Sequence, residues 1–321
     1  VVSAADTAVP GYPWPASRLA LAGLRGTPVQ LAYVDTVAPS GAPAGAGGPA
    51  AVPVVMVHGN PTWGFTFRRL VAALAPTRRC IVPDHVGCGR SDAPSDADYP
   101  YRLERRAADL GALIDALALP QVDLVVHDWG GMIGLTWAVE HPERVRRIVL
   151  TNTAAFGLPA GKPFPWAIAL ARAPGVGPAL VRGLNAFVEG TLRTCVVRPL
   201  DADAKAGYRA PYRDWRRRLA VQRFVEDIPL RPGHPSWSRV QATAAGLERL
   251  RDRPVLITWG MRDFVFDRHF LAEWERRWPH AQVRRFPDAG HLVLEDEHAA
   301  IIPEVLRFLD ASQPATTGGQ P

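Results

Sequence analysis

The chain has 321 residues, 47% of them hydrophobic and 21% charged, the balance of a globular protein with a large core rather than a fibrous or disordered one. Its formal net charge of +6 comes largely from arginine, with runs such as Arg216, Arg217 and Arg218, but no nucleic-acid module with interleaved aromatics accompanies it, so no nucleic-acid partner is expected. No apolar stretch approaches the roughly 20 residues that cross a bilayer, which excludes a helical membrane protein.

In chain order, "VQLAYVD" (29–35) alternates like an edge strand, and "APSGAPAGAGGPA" (38–50) is a low-complexity run expected to be a mobile hairpin loop. "VPVVMVH" is a continuous apolar strand. A helix is expected over 66–75, a strand at "RCIVPD", a helix over 102–118, a strand over 122–127, a helix over 130–140 and a strand at "RRIVLTN". Apolar strands alternating with amphipathic helices predict an α/β fold with a mostly parallel central sheet covered on both faces. The alternation stops near Ala155. Residues 155–240 hold no convincing strand but many Pro, Gly and aromatic residues, with a helical stretch at 212–225. "PVLITWG" (254–260) resumes the strand pattern, followed by a helix over 268–278, "AQVRRFPD", and a last helix over 298–309. This divides the chain into a core (1–154 and 241–311), a helical cap (155–240) inserted before the last two strands, and a disordered tail (312–321).

"VVHDWGGMIG" (125–134) runs from a buried strand through a tight turn of small residues into a helix, the shape of a nucleophile elbow. Its apex, where a serine is usual, is Asp128. Two further strand ends carry Asp263 in "WGMRD" and His291 in "DAGH", so the chain order is nucleophile, acid, base, as in an α/β-hydrolase triad. Each alone has a bland explanation as a cap or turn residue; together at matching strand ends they point to catalysis. A carboxylate nucleophile suits displacement at an sp3 carbon bearing a good leaving group, giving an alkyl ester that an imidazole base can hydrolyse with water. The departing anion needs N–H donors in a dry pocket. Trp129 supplies an indole N–H, and Asn60 in "HGNPTW" an amide.

The motifs "HGNPTWGFTFR", "PDHVGCGRSD", "HDWGG", "WGMRD" and "AGHLVLED" resemble those of the haloalkane dehalogenase family, in order and across nearly the whole core. The resemblance implies an α/β-hydrolase fold with Asp128 as nucleophile, Asp263 as acid, His291 as base, and Asn60 and Trp129 as leaving-anion donors. "TNTAAFGLP", "APYRDW", "RFVEDIPL" and "WGMRDFVFDRHFL" resemble more specifically the β-lactone decarboxylases of olefin biosynthesis, which turn long-chain cis-β-lactones into cis-alkenes and CO2. Hydrolytic dehalogenation is the alternative. Epoxide hydrolysis, which uses cap tyrosines, would call on Tyr208 and Tyr212; a ligand-binding receptor built on the same core ranks last.

"TNTAAF" has no carboxylate after the sixth core strand, which favours Asp263 as the acid; Asp267 is the fallback, with an N-cap as its ordinary reading. His58, His85 and His127 lack ligand spacing and are expected to be loop and packing residues, and no metal or other cofactor is implied. Of Phe156, Phe164, Trp166, Phe187, Trp215 and Phe224, a subset should line an apolar cavity for a long-chain substrate. Cys80, Cys88 and Cys195 read as reduced thiols, and with no visible signal peptide a cytoplasmic location is expected, the basic surplus leaving room for contact with a membrane surface. The resemblance also implies work beside a thiolase-like condensing enzyme, a reductase and a lactone-forming synthetase.

Overall fold

The structure is a computed structural model that describes residues 9–36 and 52–311. The expected loop at 38–50 and the tail from 312 lie outside the described residues.

Eight strands form one sheet: β1 (Ser17–Leu21), β2 (Val29–Asp35), β3 (Val54–Val57), β4 (Cys80–Pro83), β5 (Val122–Asp128), β6 (Val145–Thr153), β7 (Val255–Gly260) and β8 (Gln282–Phe286). Their order is β1-β2-β4-β3-β5-β6-β7-β8, antiparallel at the β1/β2 and β2/β4 pairs and parallel from β4 onward. The continuous apolar runs of β3, β4, β5 and β7 are buried along their whole length, as expected of parallel strands sandwiched between helices. One expectation needs correction. "VQLAYVD" is not the edge, because β1 pairs along its outer side. β1 is short and mostly exposed, so it carries little apolar period to betray it.

Three helices follow the early parallel strands: α1 (Arg68–Leu74) after β3, α2 (Leu103–Ala116) after β4 and α3 (Trp129–Ala138) after β5. Between β6 and β7 lie α4 (Trp166–Arg172), the single turn α5 (Val176–Pro178), α6 (Ala186–Thr194), α7 (Ala202–Arg209), α8 (Leu219–Glu226) and α9 (Trp237–Gly246). α10 (Arg268–Arg277) follows β7, and α11 (Val293–Asp296) and α12 (His298–Asp310) follow β8. The helix expected at 212–225 begins only at Leu219, since the arginine run before it turns around Asp214, whose side chain accepts from the Arg217 N–H. α9 packs on α3, beside the sheet, whereas α4 and α8 pack on each other. No helix among the described residues is long and apolar enough to cross a membrane.

The helical segment is pinned to the core by a buried charge cluster. Glu295 of α11 accepts from Arg68 Nη2 (2.9 Å) and Arg69 Nη1 (2.7 Å) of α1 and from the Tyr208 hydroxyl (2.6 Å) of α7. Burial alone would raise the carboxyl pKa, but the guanidiniums and the phenol outweigh it and hold it below the ordinary value. The cluster therefore stabilises the fold above the unfolded-state pKa of Glu295 and loses that contribution as pH falls through the lowered folded value. Glu295→Ala strands Arg68 inside the protein and is expected to cost about 3–5 kcal/mol in urea unfolding at neutral pH. A loss below about 1 kcal/mol would mark the cluster as no stronger than a surface pair.

The chain runs from β3 outward to β4 and then crosses back to β5, so strand order reverses between β3 and β5. In open α/β sheets the crevice beyond the strand ends at such a reversal is where ligands bind. Asn60 follows the end of β3, and Asp128 is the last residue of β5.

Candidate active site

Asp128 sits at the apex of the turn from β5 into α3 with φ 53° and ψ −125°, a left-handed conformation that costs a non-glycine residue about 1–3 kcal/mol. Neighbours hold it there. Thr153, its register partner on β6, donates its hydroxyl to the Asp128 carbonyl. Gly130 lies so close to β3 that a Cβ would stand 1.8 Å from the Val57 carbonyl oxygen, and a Cβ on Gly59 would stand 2.1 Å from Asp128 Oδ1. The small residues of "HGN" and "DWGG" are therefore set by the close approach of two loops to one carboxylate.

The two carboxylate oxygens face different partners. Oδ1 accepts from the Asn60 backbone N–H at 2.6 Å, and the neighbouring Trp129 backbone N–H also favours the ionised carboxylate. Oδ2 lies 3.6 Å from His291 Nε2. On the other side of the imidazole, Nδ1 donates to Asp263 Oδ2 at 2.8 Å. Asp263 is fixed in turn by the Val265 N–H (2.7 Å) and by Asn152 Nδ2 (2.9 Å). Asn152 itself has φ 36°, accepts from the Gly260 N–H at 2.8 Å and donates to the Gly260 carbonyl at 3.1 Å. It was not singled out from sequence, although a polar residue inside the buried strand β6 signals that something must satisfy it.

Burial pushes the Asp128 pKa up, with His291 and the two N–H groups acting against it. Burial works against a charged His291, but Asp263 and Asp128 together outweigh it and raise its pKa above that of a free imidazole. Two rings pack beside this imidazole: Phe266, stacked at 5.7 Å between centroids, and His127, tilted at 4.7 Å. His127 is neutral, its pKa lowered by burial to about 3.

The other sequence candidates divide cleanly. Asp267 caps α10 through the His269 N–H at 3.0 Å and pairs with Lys162 Nζ at 2.9 Å, away from the imidazole that Asp263 holds. Tyr208 is taken up by Glu295, and the Tyr212 hydroxyl donates to the Thr62 carbonyl at 3.2 Å; both rings are buried outside the cavity, so neither can protonate an epoxide there. His58 and His85 are interlocked: the His85 N–H donates to His58 Nε2 (3.0 Å), and His85 Nε2 contacts the His58 carbonyl (2.9 Å). Burial keeps both uncharged, with His58 at about 4.

Above the elbow lies a cavity of about 400 Å³. Asp128, His291, Asn60 and Trp129 line its floor, and no Lys, Arg or Glu among the described residues lines any part of it. Phe156, Phe164, Trp166 and Phe187 are in its wall; Phe224 and Trp215 are not. Phe224 instead lies buried beneath Trp129, with ring centroids 5.4 Å apart. The Trp129 indole N–H has no protein acceptor among the described residues and is free for a ligand. The Asn60 side chain is partly committed, its Nδ2 donating to the Val221 carbonyl at a long 3.3 Å. A carboxylate aimed into an apolar, dry pocket beside free N–H groups can displace an anion from an sp3 carbon and steady it as it leaves.

A model of the alpha/beta hydrolase fold family matches residues 52–298. The chain belongs to that family. Within the alpha/beta hydrolase fold it is haloalkane-dehalogenase-like: a crystal structure of a haloalkane dehalogenase loop variant from Bradyrhizobium elkanii superposes with a TM-score of 0.76 at 27% identity, covering 92% of this chain and 96% of that one. Haloalkane dehalogenase 2 of Mycobacterium bovis is 30% identical over 76% of this chain and 83% of its own length. A cis-3-alkyl-4-alkyloxetan-2-one decarboxylase of Shewanella oneidensis is 47% identical over 84% of this chain and 85% of its own.

Proposed function

We propose that this alpha/beta hydrolase is a β-lactone decarboxylase that converts long-chain cis-β-lactones to cis-alkenes and CO2, with Asp128 as nucleophile. An oxetan-2-one is a β-lactone, and the 47% identity to the Shewanella decarboxylase carries the choice of substrate. The apolar cavity above an acidic elbow supports it chemically, since two alkyl arms offer nothing else to grip. Residues 155–240 serve as the cap that closes this cavity from water. The same reading sets the protein beside a thiolase-like condensing enzyme, a reductase and a lactone-forming synthetase.

Asp128 Oδ2 attacks the lactone β-carbon with inversion, and the ring C–O bond breaks to release a carboxylate toward Trp129 Nε1 and Asn60. The bond between the α-carbon and that carboxylate then breaks; its electron pair becomes the alkene π bond as the Asp128 ester oxygen leaves and CO2 departs. The Asn60 backbone N–H stabilises the returning Asp128 carboxylate at Oδ1, and the Trp129 backbone N–H also favours its charged form. No water or redox partner is consumed. Inversion followed by anti elimination carries a cis-lactone to a cis-alkene. Incubating the protein with a cis-dialkyl-β-lactone should yield cis-alkene and CO2 in equal amounts by gas chromatography, and a trans-alkene would sink this order of steps.

His291 then acts not as a base but as a cation that keeps the buried Asp128 ionised. Alkene formation should rise with pH through the raised Asp128 pKa and fall as pH passes the raised His291 pKa. Hydrolysis of a haloalkane by the same triad, the second reading favoured by the intact His291–Asp263 pair, needs a neutral imidazole and should rise through that same pH. Parallel pH–kcat profiles for alkene and halide read the difference; alkene formation that climbs through the alkaline limb would make His291 a base.

A further inference from the structure

The roof of the cavity has a second, outer face that nothing in the fold covers. α4, α5, the π-turn Ala179–Gly183 and α6 pack side by side, and their inner surface supplies Ile168, Val181 and Phe187 to the cavity or its wall. Their outer surface presents Trp166 (78% exposed), Leu170, Val176 and Leu184 (72% exposed) to solvent. Of the large hydrophobic residues exposed among the described residues, all but Leu24 lie on this helical segment or at Phe264. Trp166, Leu170 and Phe264 also line the cavity, so they stand at its mouth. Exposed apolar side chains gathered around one opening mark a binding surface, whereas scattered ones do not.

Charge chooses the occupant. Residues 155–240 carry 14 Lys and Arg against 6 Asp and Glu, while the rest of the chain carries 23 against 25. The whole positive surplus of the protein thus sits on the segment that bears the exposed hydrophobics. No acidic residue occurs between Glu143 and Glu189, a span that includes the entire apolar outer face together with Arg172 and Arg182; its one lysine, Lys162, is buried and paired with Asp267. A protein partner would be expected to meet complementary charges of both signs; a net basic segment whose apolar outer face contributes no carboxylate of its own, with a projecting tryptophan, fits anionic lipid headgroups over an acyl interior.

We propose that the outer face of α4 to α6 docks on an anionic lipid bilayer, with the cavity mouth against the membrane, so that an apolar substrate enters and a hydrocarbon product leaves through lipid rather than water. This goes beyond the reaction assigned above and leans on it only for what passes through the mouth. The test is sedimentation of the full chain with phosphatidylcholine vesicles, with and without phosphatidylglycerol. The wild-type protein should pellet with the mixed vesicles, less so at high salt. Val176→Ser/Leu184→Ser, at two exposed positions outside the cavity lining, should lower the bound fraction at least about tenfold, because each removes an apolar side chain of the kind worth a kilocalorie or more when buried. Its turnover of a short lactone dispersed without vesicles should match wild type, which also verifies that it folds. Pelleting with neither vesicle, or pelleting unaffected by the double substitution, would overturn the proposal. Equal binding to pure phosphatidylcholine would overturn its charge component, and a wild-type dimer that the double variant dissolves, without vesicle binding, would make this face a protein interface instead. Sedimentation reads no chemistry, so a failure to form alkene would count against the assigned reaction and leave the docking result standing.

Discussion

Asp128→Ala is expected to lower kcat for alkene formation by about 10⁴-fold or more while the substrate still binds. The magnitude follows from removing the proposed nucleophile, which in enzymes of covalent mechanism costs several orders of magnitude. Binding should survive because the cavity offers its ligand the apolar rings of Phe156, Phe164 and Phe187, which the substitution leaves unchanged. The change in tryptophan fluorescence on titration with an unreactive alkyl ligand, to which the cavity residues Trp129 and Trp166 both contribute, would give the dissociation constant of both proteins. Asp128→Asn is the closer control, since it keeps the shape of the carboxylate and the two N–H groups behind it. If either variant retained more than about one per cent of wild-type turnover, carbon dioxide would be leaving the lactone without an enzyme ester, and the mechanism would fail even with the product correct.

Trp129→Phe is the second large effect, expected at about 10²-fold in kcat with little change in binding. The indole N–H lies in the cavity floor with no protein acceptor, so it is free to bond the substrate, most strongly as negative charge develops on the departing carboxylate. Phenylalanine keeps the aromatic bulk over Phe224 and removes that one donor. Asn60→Ala should cost less, about tenfold, because its amide already shares a proton with the Val221 carbonyl and its more important group, the backbone N–H on Asp128, survives substitution. A Trp129→Phe loss seen wholly in KM would assign the indole to ground-state binding instead.

The elbow was readable because its chemistry and its backbone need coincide. An apolar β5 ending in Asp128, followed at once by Gly130 and Gly131, states both where the strand stops and which side chain is left at the apex. Asp263 and His291 were readable because loops after parallel strands converge on one edge, and the structure brings them within hydrogen-bond reach of each other. Other features leave no such trace. The Asn60 N–H on Asp128 is a main-chain group, invisible to any reading of side chains. Asn152 lies inside β6, and its part in holding Asp263 depends on a positive φ near the end of that strand that no spacing announces. Tyr208 and Tyr212 showed the right residue type in the right segment, yet the pull of Glu295 and of the Thr62 carbonyl turns them into the interior. Glu295, Arg68 and Tyr208 come from three distant stretches of chain, so only tertiary packing reveals them as one cluster. The edge strand β1 escaped notice for the opposite reason: too little of it is buried to impose a pattern.

All of this depends on a bond between Asp128 and the substrate carbon. Acid-quenching the enzyme during turnover of a cis-β-lactone and weighing the intact protein tests that bond directly. Ring opening without loss of atoms should add the full mass of the lactone, and fragmentation should place it on Asp128. An unmodified protein at every quench time, or an adduct on another residue, would contradict the account.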